Sequence, residues 1–320
     1  MGKLVHRFNR LYLLWLLLLS TVAFVRPATM IWFDKPWIFW SLAASMLGMG
    51  LTLSLDDFRQ VTRMPGCIAA GFLLQYTIMP LSGWCVAALL HLESGLAVGI
   101  MLVASCPGGM ASNMISYLAK ANVAASVVLT LASTVMAFVM TPLWTSLLAG
   151  QIVPVDVPGM CLSALQLTVA PVALGVLIRW KFPVTADRIG ILGPTVAVLA
   201  FTFVTAGIVA ASADSIASNF VRLLFAATLL HFIGFGTGYG LAKLLRYPES
   251  LARTVSIEVG MQNGGLAASL AREHFAAMPL SAAAAVFSGI IQNIVGGIIA
   301  AWWGRSHRSR RVEQTNENNP

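Results

Sequence analysis

Predominantly apolar runs of 18 or more residues recur from one end of this 320-residue chain to the other. A run of that length is typical of a helix that crosses a bilayer, because about 20 residues in a helix span a hydrocarbon core of about 30 Å. Only 10% of the residues are charged, against about 25% in a soluble domain. The sequence therefore predicts an all-α polytopic membrane protein.

Charged residues, Pro and Gly divide the chain into ten predicted spans. They cover residues 8–28, 37–55, 65–91, 95–119, 122–149, 157–180, 189–211, 219–245, 249–273 and 279–304. If both termini are cytoplasmic, the cytoplasmic segments hold sixteen of the 20 Lys and Arg residues, as the positive-inside rule requires. We therefore predict a multi-pass protein of the bacterial inner membrane with both ends in the cytoplasm. Residues 305–320 are predicted to form a disordered, basic and polar cytoplasmic tail.

The net charge of +8 is concentrated in those predicted cytoplasmic segments. This distribution favours contact with anionic membrane lipid and not with nucleic acid. We infer no obligate protein partner from the sequence.

Two of the predicted spans are interrupted by residues that break helices. The fourth contains SCPGGMASN at 105–113, and the ninth contains GMQNGGLAAS at 260–269. Their Gly pairs lie 156 residues apart, about half the chain, so we predict two five-span repeats of inverted topology, residues 1–150 and 151–304. Broken helices at matching places in inverted repeats indicate a transport site near the membrane midplane, whereas close helix packing is the simpler explanation for either Gly pair alone. The residues assigned to the breaks are Pro107, Gly108, Gly109, Gly260 and Gly265.

Glu258 is the only one of the twelve acidic residues that lies deep in a predicted span. An intramembrane carboxylate is costly and is usually functional. Because no Lys or Arg is predicted at the same depth, a bound cation or a proton is expected to neutralise it; a protonated structural Glu is the alternative. The hydroxyl and amide groups predicted inside the spans suit a hard, monovalent cation. His231 is predicted to be a hydrogen-bonded core residue.

Two segments, CPGGMASNMISYLAK at 106–120 and EVGMQN at 258–263, make the chain resemble the bile acid:sodium symporter family, in particular its bacterial members, over nearly its full length. The resemblance implies ten helices in a core domain and a panel domain, with the fourth and ninth helices broken and crossing in the core. It also implies two Na⁺ as coupling ions, no other metal and no cofactor.

The resemblance further implies three groups of binding residues. The first sodium site falls on Ser112, Asn113, Ser126, Thr130 and Glu258. The second falls on Gln75, Glu258, Gln262 and the backbone carbonyls of Val259 and Met261. The substrate site falls on Met110, Ala111, Asn263, Gly264, Gln292 and Asn293.

The predicted function is therefore sodium-coupled import of a small organic anion by alternating access. The substrate would be a carboxylate such as pantoate or ketopantoate, or a bile-acid-like anion. Some relatives carry Thr in place of Met110 and His in place of Gln292, so this chain lacks one hydroxyl donor at the mouth of the site.

Three alternatives stay open at this point. A sodium/proton antiporter could use Glu258, although such a protein usually needs a second buried acid or a Lys. An arsenite-type exporter of related fold would need a reactive thiol, and Cys106 lies beside the first break. An intramembrane enzyme would need a nucleophile and a base, for which Cys106 and His231 are the only candidates, so the chain is predicted not to be an enzyme.

Overall fold

The computed structural model describes residues 9, 11–54, 57, 59, 65–109 and 111–317, with the backbone alone described for 306–317. Within these ranges the chain is almost entirely helical. The helices are α1 (Tyr12–Val25), α2 (Lys35–Thr52), α3 (Pro65–Leu89), α4 (Ser94–Ala104), α5 (Ala111–Leu118), α6 (Val123–Ala149), α7 (Val157–Ala164), α8 (Ala170–Lys181), α9 (Pro183–Gly190), α10 (Gly193–Ala211), α11 (Ala213–Leu244), α12 (Glu249–Gly260), α13 (Gly264–His274) and α14 (Pro279–Glu317). A single π-helical turn, Leu165–Val169, joins α7 to α8.

Several helix starts follow from local sequence. The side chain of Asn122 accepts a hydrogen bond from Ala125 N at the start of α6, and Asp156 accepts one from Gly159 N at the start of α7. Each such cap satisfies one of the backbone N–H groups that the first turn of a helix leaves unpaired. Helices α2, α7, α8, α9 and α10 carry Pro in their first two positions, where its missing N–H does no harm.

Among the described residues, six helical segments are long and apolar enough to cross a membrane by length and composition. They are α3, α6, the continuous stretch α7–α8, α10, α11 and residues 279–305 of α14. Helices α1 and α4 are apolar but shorter. The prediction of an all-helical polytopic membrane protein is confirmed, and the ten-span repeat remains a prediction.

The helices pack in two groups. In the first group, which we call the scaffold group, α2 packs against α8 and α10, and α10 packs against α1. In the second, which we call the crossing group, α14 packs against α4, α11 and α13, while α11 packs against α12 and α3 against α4. The two broken helices and Glu258 belong to the crossing group.

Both predicted helix breaks are present, and the two broken segments cross each other. Helix α4 ends at Ala104 and α5 begins at Ala111, while α12 ends at Gly260 and α13 begins at Gly264. An antiparallel bridge joins Gly108 to Gln262 between them. Backbone hydrogen bonds run from Gly109 N to Met261 O (3.0 Å) and from Asn263 N to Pro107 O (2.8 Å). The backbone groups that the breaks leave free are thus partly paired across the crossing, as a buried break requires.

Gly109 permits the close approach of the two broken segments. A Cβ at this position would lie 2.6 Å from the carbonyl oxygen of Gln262. Since that atom belongs to the opposing backbone, it could not move without displacing the crossing itself.

The helix boundaries differ from the predicted spans in several places, most clearly at α9 and α14. Helix α9 begins at Pro183, between the predicted sixth and seventh spans. Its apolar residues Val184 and Ile189 are exposed. The helix therefore lacks the buried apolar stripe by which a core helix is recognised in a sequence. Helix α14 continues to Glu317 with no end at residue 304, the predicted end of the tenth span. That the tail is disordered stays a prediction.

Candidate functional site

Glu258 lies at the crossing of the broken helices and accepts hydrogen bonds from three hydroxyl groups. Ser112 Oγ donates to Oε1 at 2.6 Å, Ser126 Oγ also donates to Oε1, and Thr130 Oγ1 donates to Oε2 at 2.7 Å. All four residues are buried. The carboxylate on α12 is therefore surrounded by oxygen atoms from α5 and α6.

Asn113 completes this oxygen-rich group. Its Oδ1 lies 2.8 Å from Ser126 Oγ, and Ser112 Oγ lies 3.3 Å from Thr130 Oγ1. Ser126 and Thr130 share one face of α6 because they are four residues apart. The structure thus brings together all five residues predicted for the first sodium site, and we call them the hydroxyl cluster.

The two glutamines predicted for the second site, Gln75 and Gln262, contact each other and Gln292 supports them; we call these three residues the amide cluster. Gln75 Nε2 donates to Gln262 Oε1 (2.7 Å) and to Cys106 O (3.0 Å), so α3 holds both broken segments. Gln262 Nε2 donates to Val259 O at 2.9 Å. Gln292 binds the backbone of Gln262 twice, accepting from its N–H and donating to its carbonyl, each at 2.7 Å.

One atom of the amide cluster is unsatisfied. Gln75 Oε1 is buried and has no hydrogen-bond partner among the described residues. A buried carbonyl-type oxygen without a partner is costly, and it is also a suitable ligand for a hard cation. Of the two backbone carbonyls predicted to join this site, Met261 O accepts from Gly109 N and Val259 O from Gln262.

His231 is a hydrogen-bonded core residue, as predicted. Its Nδ1 lies 2.8 Å from the carbonyl oxygen of Gly260 and therefore donates to it, and its Nε2 accepts from Ser288 Oγ at 2.6 Å. Cys106, the other half of the hypothetical nucleophile–base pair, is fully buried with its thiol next to Thr141. The two side chains therefore engage different partners.

Arg253 lies on α12 five residues before Glu258, and its side chain is buried. No basic residue was predicted at this depth from the sequence. Its guanidinium donates to Glu249 Oε1 (2.9 Å) and Ala119 O (3.0 Å), and it covers the Trp303 ring at 5.4 Å from the centroid. Arg253 is therefore bound to groups other than Glu258, whose carboxylate is bound by hydroxyl groups.

A cavity of about 520 Å³ lies between the scaffold and crossing groups. Five of the six residues predicted for the substrate site line it: Ala111, Asn263, Gly264, Gln292 and Asn293. The sixth, Met110, lies outside the described residues. The other walls of the cavity come mainly from apolar residues of α2 and α10.

Two helix N-termini open onto this cavity. Ala111 begins α5 and Gly264 begins α13, and the partial positive charge of a helix N-terminus favours an anion. Asn263 Oδ1 caps α13 by accepting from Leu266 N at 3.0 Å, so this side chain organises the helix start. The described residues of the lining carry no charge.

Two cavity residues were not identified from the sequence. Tyr12 of α1 donates its hydroxyl to Asn293 Oδ1 at 2.8 Å, which links the scaffold group to α14. Asn9, also in the lining, has a buried Oδ1 without a partner among the described residues. Both residues lie at the edge of the first apolar run, where a polar side chain usually marks only the end of a membrane span. Nothing in the sequence therefore indicated that they line a cavity.

Comparisons with known proteins identify the family of the chain. A model of the sodium bile acid symporter family matches residues 40–219. The rice (Oryza sativa subsp. japonica) protein named probable sodium/metabolite cotransporter BASS2, chloroplastic, is 38% identical over 301 residues, covering 94% of this chain and 72% of the relative. The Arabidopsis thaliana protein named probable sodium/metabolite cotransporter BASS1, chloroplastic, is 40% identical over 293 residues, or 92% of this chain and 73% of the relative.

A bacterial relative matches from end to end. The uncharacterised sodium-dependent transporter YocS of Bacillus subtilis (strain 168) is 34% identical over 317 residues, covering 99% of this chain and 98% of the relative. The predicted family is therefore confirmed. The chain belongs to the sodium bile acid symporter family and is an integral membrane transporter, not an enzyme.

Proposed function

We propose that this protein is a symporter that imports a small organic anion together with Na⁺ by alternating access. The observation that carries the proposal is the position of Glu258, a buried carboxylate bound by hydroxyl groups at the crossing of two broken helices. The names of the relatives, which describe sodium/metabolite cotransporters and a sodium-dependent transporter, support coupling to sodium.

The hydroxyl cluster has the chemistry of a sodium site. It offers one carboxylate, three hydroxyl oxygens and one amide oxygen, and hard cations of low charge prefer such oxygen donors. The hydroxyl groups that now donate to Glu258 keep lone pairs that can face a cation. Binding of Na⁺ here would neutralise Glu258 and hold α5, α6 and α12 together.

The amide cluster fits a second sodium ion. Gln75 Oε1 is the buried oxygen that lacks a partner, and a cation there would satisfy it. Gln262 and the carbonyls of Val259 and Met261 would supply further oxygens, with Glu258 as the ligand shared between the two sites. Since Gln75 also donates to both broken segments, the second ion would stabilise the crossing from the side of α3.

The anion would bind in the cavity against the N-termini of α5 and α13. Those N-termini favour negative charge, and two bound cations nearby would strengthen that preference. A cavity of about 520 Å³ lies in the range of small-molecule sites, roughly 300–1,000 Å³. These features suit a small carboxylate of the pantoate or ketopantoate kind, with a bile-acid-like anion as the alternative.

Alternating access would follow from movement of the crossing group against the scaffold group, because the cavity lies between them. The arrangement around the breaks also supports the inverted repeats. Gln75 and His231 are 156 residues apart and lie on α3 and α11, and each donates to a backbone carbonyl at a break, Cys106 O and Gly260 O respectively. In this scheme the protein lies in a bacterial inner membrane with both termini in the cytoplasm.

A stability screen of the purified full-length protein tests the proposal. Small carboxylates are added with Na⁺ or with K⁺, and the midpoint of thermal unfolding is measured. A carboxylate that raises the midpoint only in Na⁺ is the expected result. Stabilisation that is equal in Na⁺ and K⁺ would exclude sodium coupling, and obligatory proton counterflow in a pH-jump assay on vesicles would indicate an antiporter instead.

A further inference from the structure

A second concave feature, separate from the central cavity, lies on the molecular surface between α6 and α8. It is a groove of about 460 Å³ whose lining is entirely apolar. Leu131 and Val135 of α6 form one side, Val169 of the π turn closes one end, and Ala173, Val176 and Trp180 of α8 form the other side. Helix α6 packs against α7 and the π turn, and the groove lies where α6 and α8 separate beyond that contact.

The length of the groove matches one leaflet of a bilayer. From Val169 to Trp180 the chain advances eleven residues, which at 1.5 Å each is about 16 Å. Half of a hydrocarbon core of about 30 Å is about 15 Å. Trp180 is 68% exposed, and an exposed Trp at the end of a spanning helix is typical of the membrane interface. The groove therefore runs from the headgroup level to the region of the midplane.

The headgroup end of the groove is basic. Lys181 follows Trp180 directly, and Arg188 lies on α9; both are exposed. Asp187, which precedes Arg188 on α9, is bound by Arg179 at 3.1 Å, so this ion pair does not use the charges of Lys181 and Arg188. Helix α9 also exposes Val184 and Ile189, and a short helix with exposed apolar and basic residues is suited to the interface.

We propose that this groove is a binding site for an anionic phospholipid, with one acyl chain between α6 and α8 and the phosphate at Lys181 and Arg188. An acyl chain satisfies the apolar lining over its full length, and a negative headgroup satisfies the local excess of positive charge. The inference does not depend on which anion the protein transports.

The position of the groove connects this lipid to the transport site. Two buried residues of the groove lining, Leu131 and Val172, pack in one cluster with Met46 and Met49 of α2. Both Met residues also line the central cavity. Leu131 also follows Thr130 of the hydroxyl cluster directly. A bound acyl chain would thus support the thin wall that separates the bilayer from the cavity, beside α8 of the scaffold group.

Native mass spectrometry of the purified full-length protein in neutral detergent tests this site. The protein is titrated with phosphatidylglycerol and, separately, with phosphatidylcholine carrying the same acyl chains, and the population with one bound lipid is measured. We expect tighter binding of phosphatidylglycerol. Since one basic residue near an anionic headgroup contributes about a fivefold change in affinity, the double variant Lys181→Gln/Arg188→Gln should bind phosphatidylglycerol about 25-fold more weakly and lose its preference for this lipid over phosphatidylcholine.

Variants in the groove give an independent readout. Ala173→Trp places an indole in the groove and should abolish the one-lipid population for both lipids. Its matched control is Leu174→Trp, which changes an exposed neighbour on α8 outside the groove lining and should bind as wild type does. Val135→Trp fills the groove from α6 and repeats the test should Ala173→Trp impair folding.

The proposal is overturned if wild type binds the two lipids equally, since the basic end would then have no role. It is also overturned if neither groove-filling variant lowers lipid binding below that of Leu174→Trp. Loss of binding in Arg222→Gln, an exposed basic residue on α11 remote from α8 and α9 in sequence, would likewise contradict a specific headgroup site.

Discussion

Glu258 illustrates how a single charged residue is accommodated inside a membrane protein. Hydrogen bonds from Ser112, Ser126 and Thr130 satisfy both carboxylate oxygens, while the nearest buried cation, Arg253, is held by Glu249 and Ala119 O. Gly108 also matters at this position, since a Cβ there would lie 3.0 Å from Glu258 Oε2. Among the described residues, the carboxylate thus has donors to stabilise it and no paired side-chain cation to neutralise it, which is the arrangement a bound Na⁺ would complete.

At the residue scale, Thr130→Val should weaken sodium binding without unfolding the protein. The substitution keeps the shape of the side chain and removes the hydroxyl that donates to Glu258 Oε2. The variant also removes an oxygen ligand of the proposed sodium ion, a contact to a charged group for which the loss is about 1.5–3 kcal/mol, so the sodium concentration that half-maximally stabilises the protein should rise at least about tenfold.

The measurement is the midpoint of thermal unfolding as a function of sodium concentration. Thr237→Val is the matched control, because the Thr237 hydroxyl donates only to Ile233 O on its own helix. Equal sodium dependence in wild type and Thr130→Val would show that this hydroxyl is not a ligand.

At the element scale, the crossing of the broken helices depends on close backbone contact. Gly109→Ala should distort it, since the new Cβ would lie 2.6 Å from Gln262 O. We expect a destabilisation of about 1–3 kcal/mol, typical of overpacking, together with loss of sodium-dependent stabilisation. Thermal unfolding with and without Na⁺ measures both effects.

Gly297→Ala provides the comparison for that substitution. A Cβ at Gly297 of α14 would meet no atom within 4 Å, and Ala is favoured over Gly inside a helix by about 0.5–1 kcal/mol. This variant should therefore be as stable as wild type or slightly more so. A Gly109→Ala protein that behaved in the same way would mean that the two segments do not need their close approach.

The sequence predicted these elements unevenly. The breaks at Gly108 and Gly260 were predictable because Pro, Gly and Asn within an apolar run contradict a continuous helix. The contribution of Tyr12 to the cavity was not, because its contact with Asn293 joins residues 281 positions apart. The π turn at Leu165–Val169 was not predictable either, since it lies within a continuous helical run and differs from its neighbours only in backbone hydrogen bonding.

For the whole molecule, the two helix groups contact each other through polar pairs as well as across the cavity. Tyr12 of α1 binds Asn293 of α14, and Asp34, which precedes α2, pairs with Arg272 near the end of α13. Both pairs join a scaffold helix to a crossing helix. They are suited to affect the relative position of the two groups during transport.

The Asp34–Arg272 pair should make stability depend on pH at this end of the molecule. Partial burial alone would raise the pKa of Asp34, but the hydrogen bond and charge of Arg272 outweigh it and lower the pKa below its ordinary value of 3.8. A carboxyl whose pKa is depressed on folding stabilises the folded state above its unfolded pKa, and this contribution disappears as the pH falls through the folded value. The stabilisation is therefore expected at neutral pH and should be lost below about pH 4.

Asp34→Asn is the variant that measures this contribution. Because the Asp34 side chain is 51% exposed, the pair contributes less than about 1 kcal/mol, or about 1–3 °C in the unfolding midpoint at pH 7. The difference from wild type should shrink as the pH falls below about 4. Arg272→Gln should show the same loss at pH 7, and adding it to Asp34→Asn should cause no further loss; a difference that persisted unchanged at pH 3 would rule out the ion pair as its cause.

The most direct test of the whole account is sodium-gradient-driven uptake in proteoliposomes, with wild type compared to Glu258→Gln. The substrate is the carboxylate that stabilises the protein in the sodium-dependent screen. We predict that wild type accumulates it only when an inward Na⁺ gradient is present, and that Glu258→Gln, which keeps the shape of the side chain but removes its charge, shows no sodium-driven accumulation. Wild-type sodium dependence in Glu258→Gln would contradict the central claim that this carboxylate couples the ion to the transported anion.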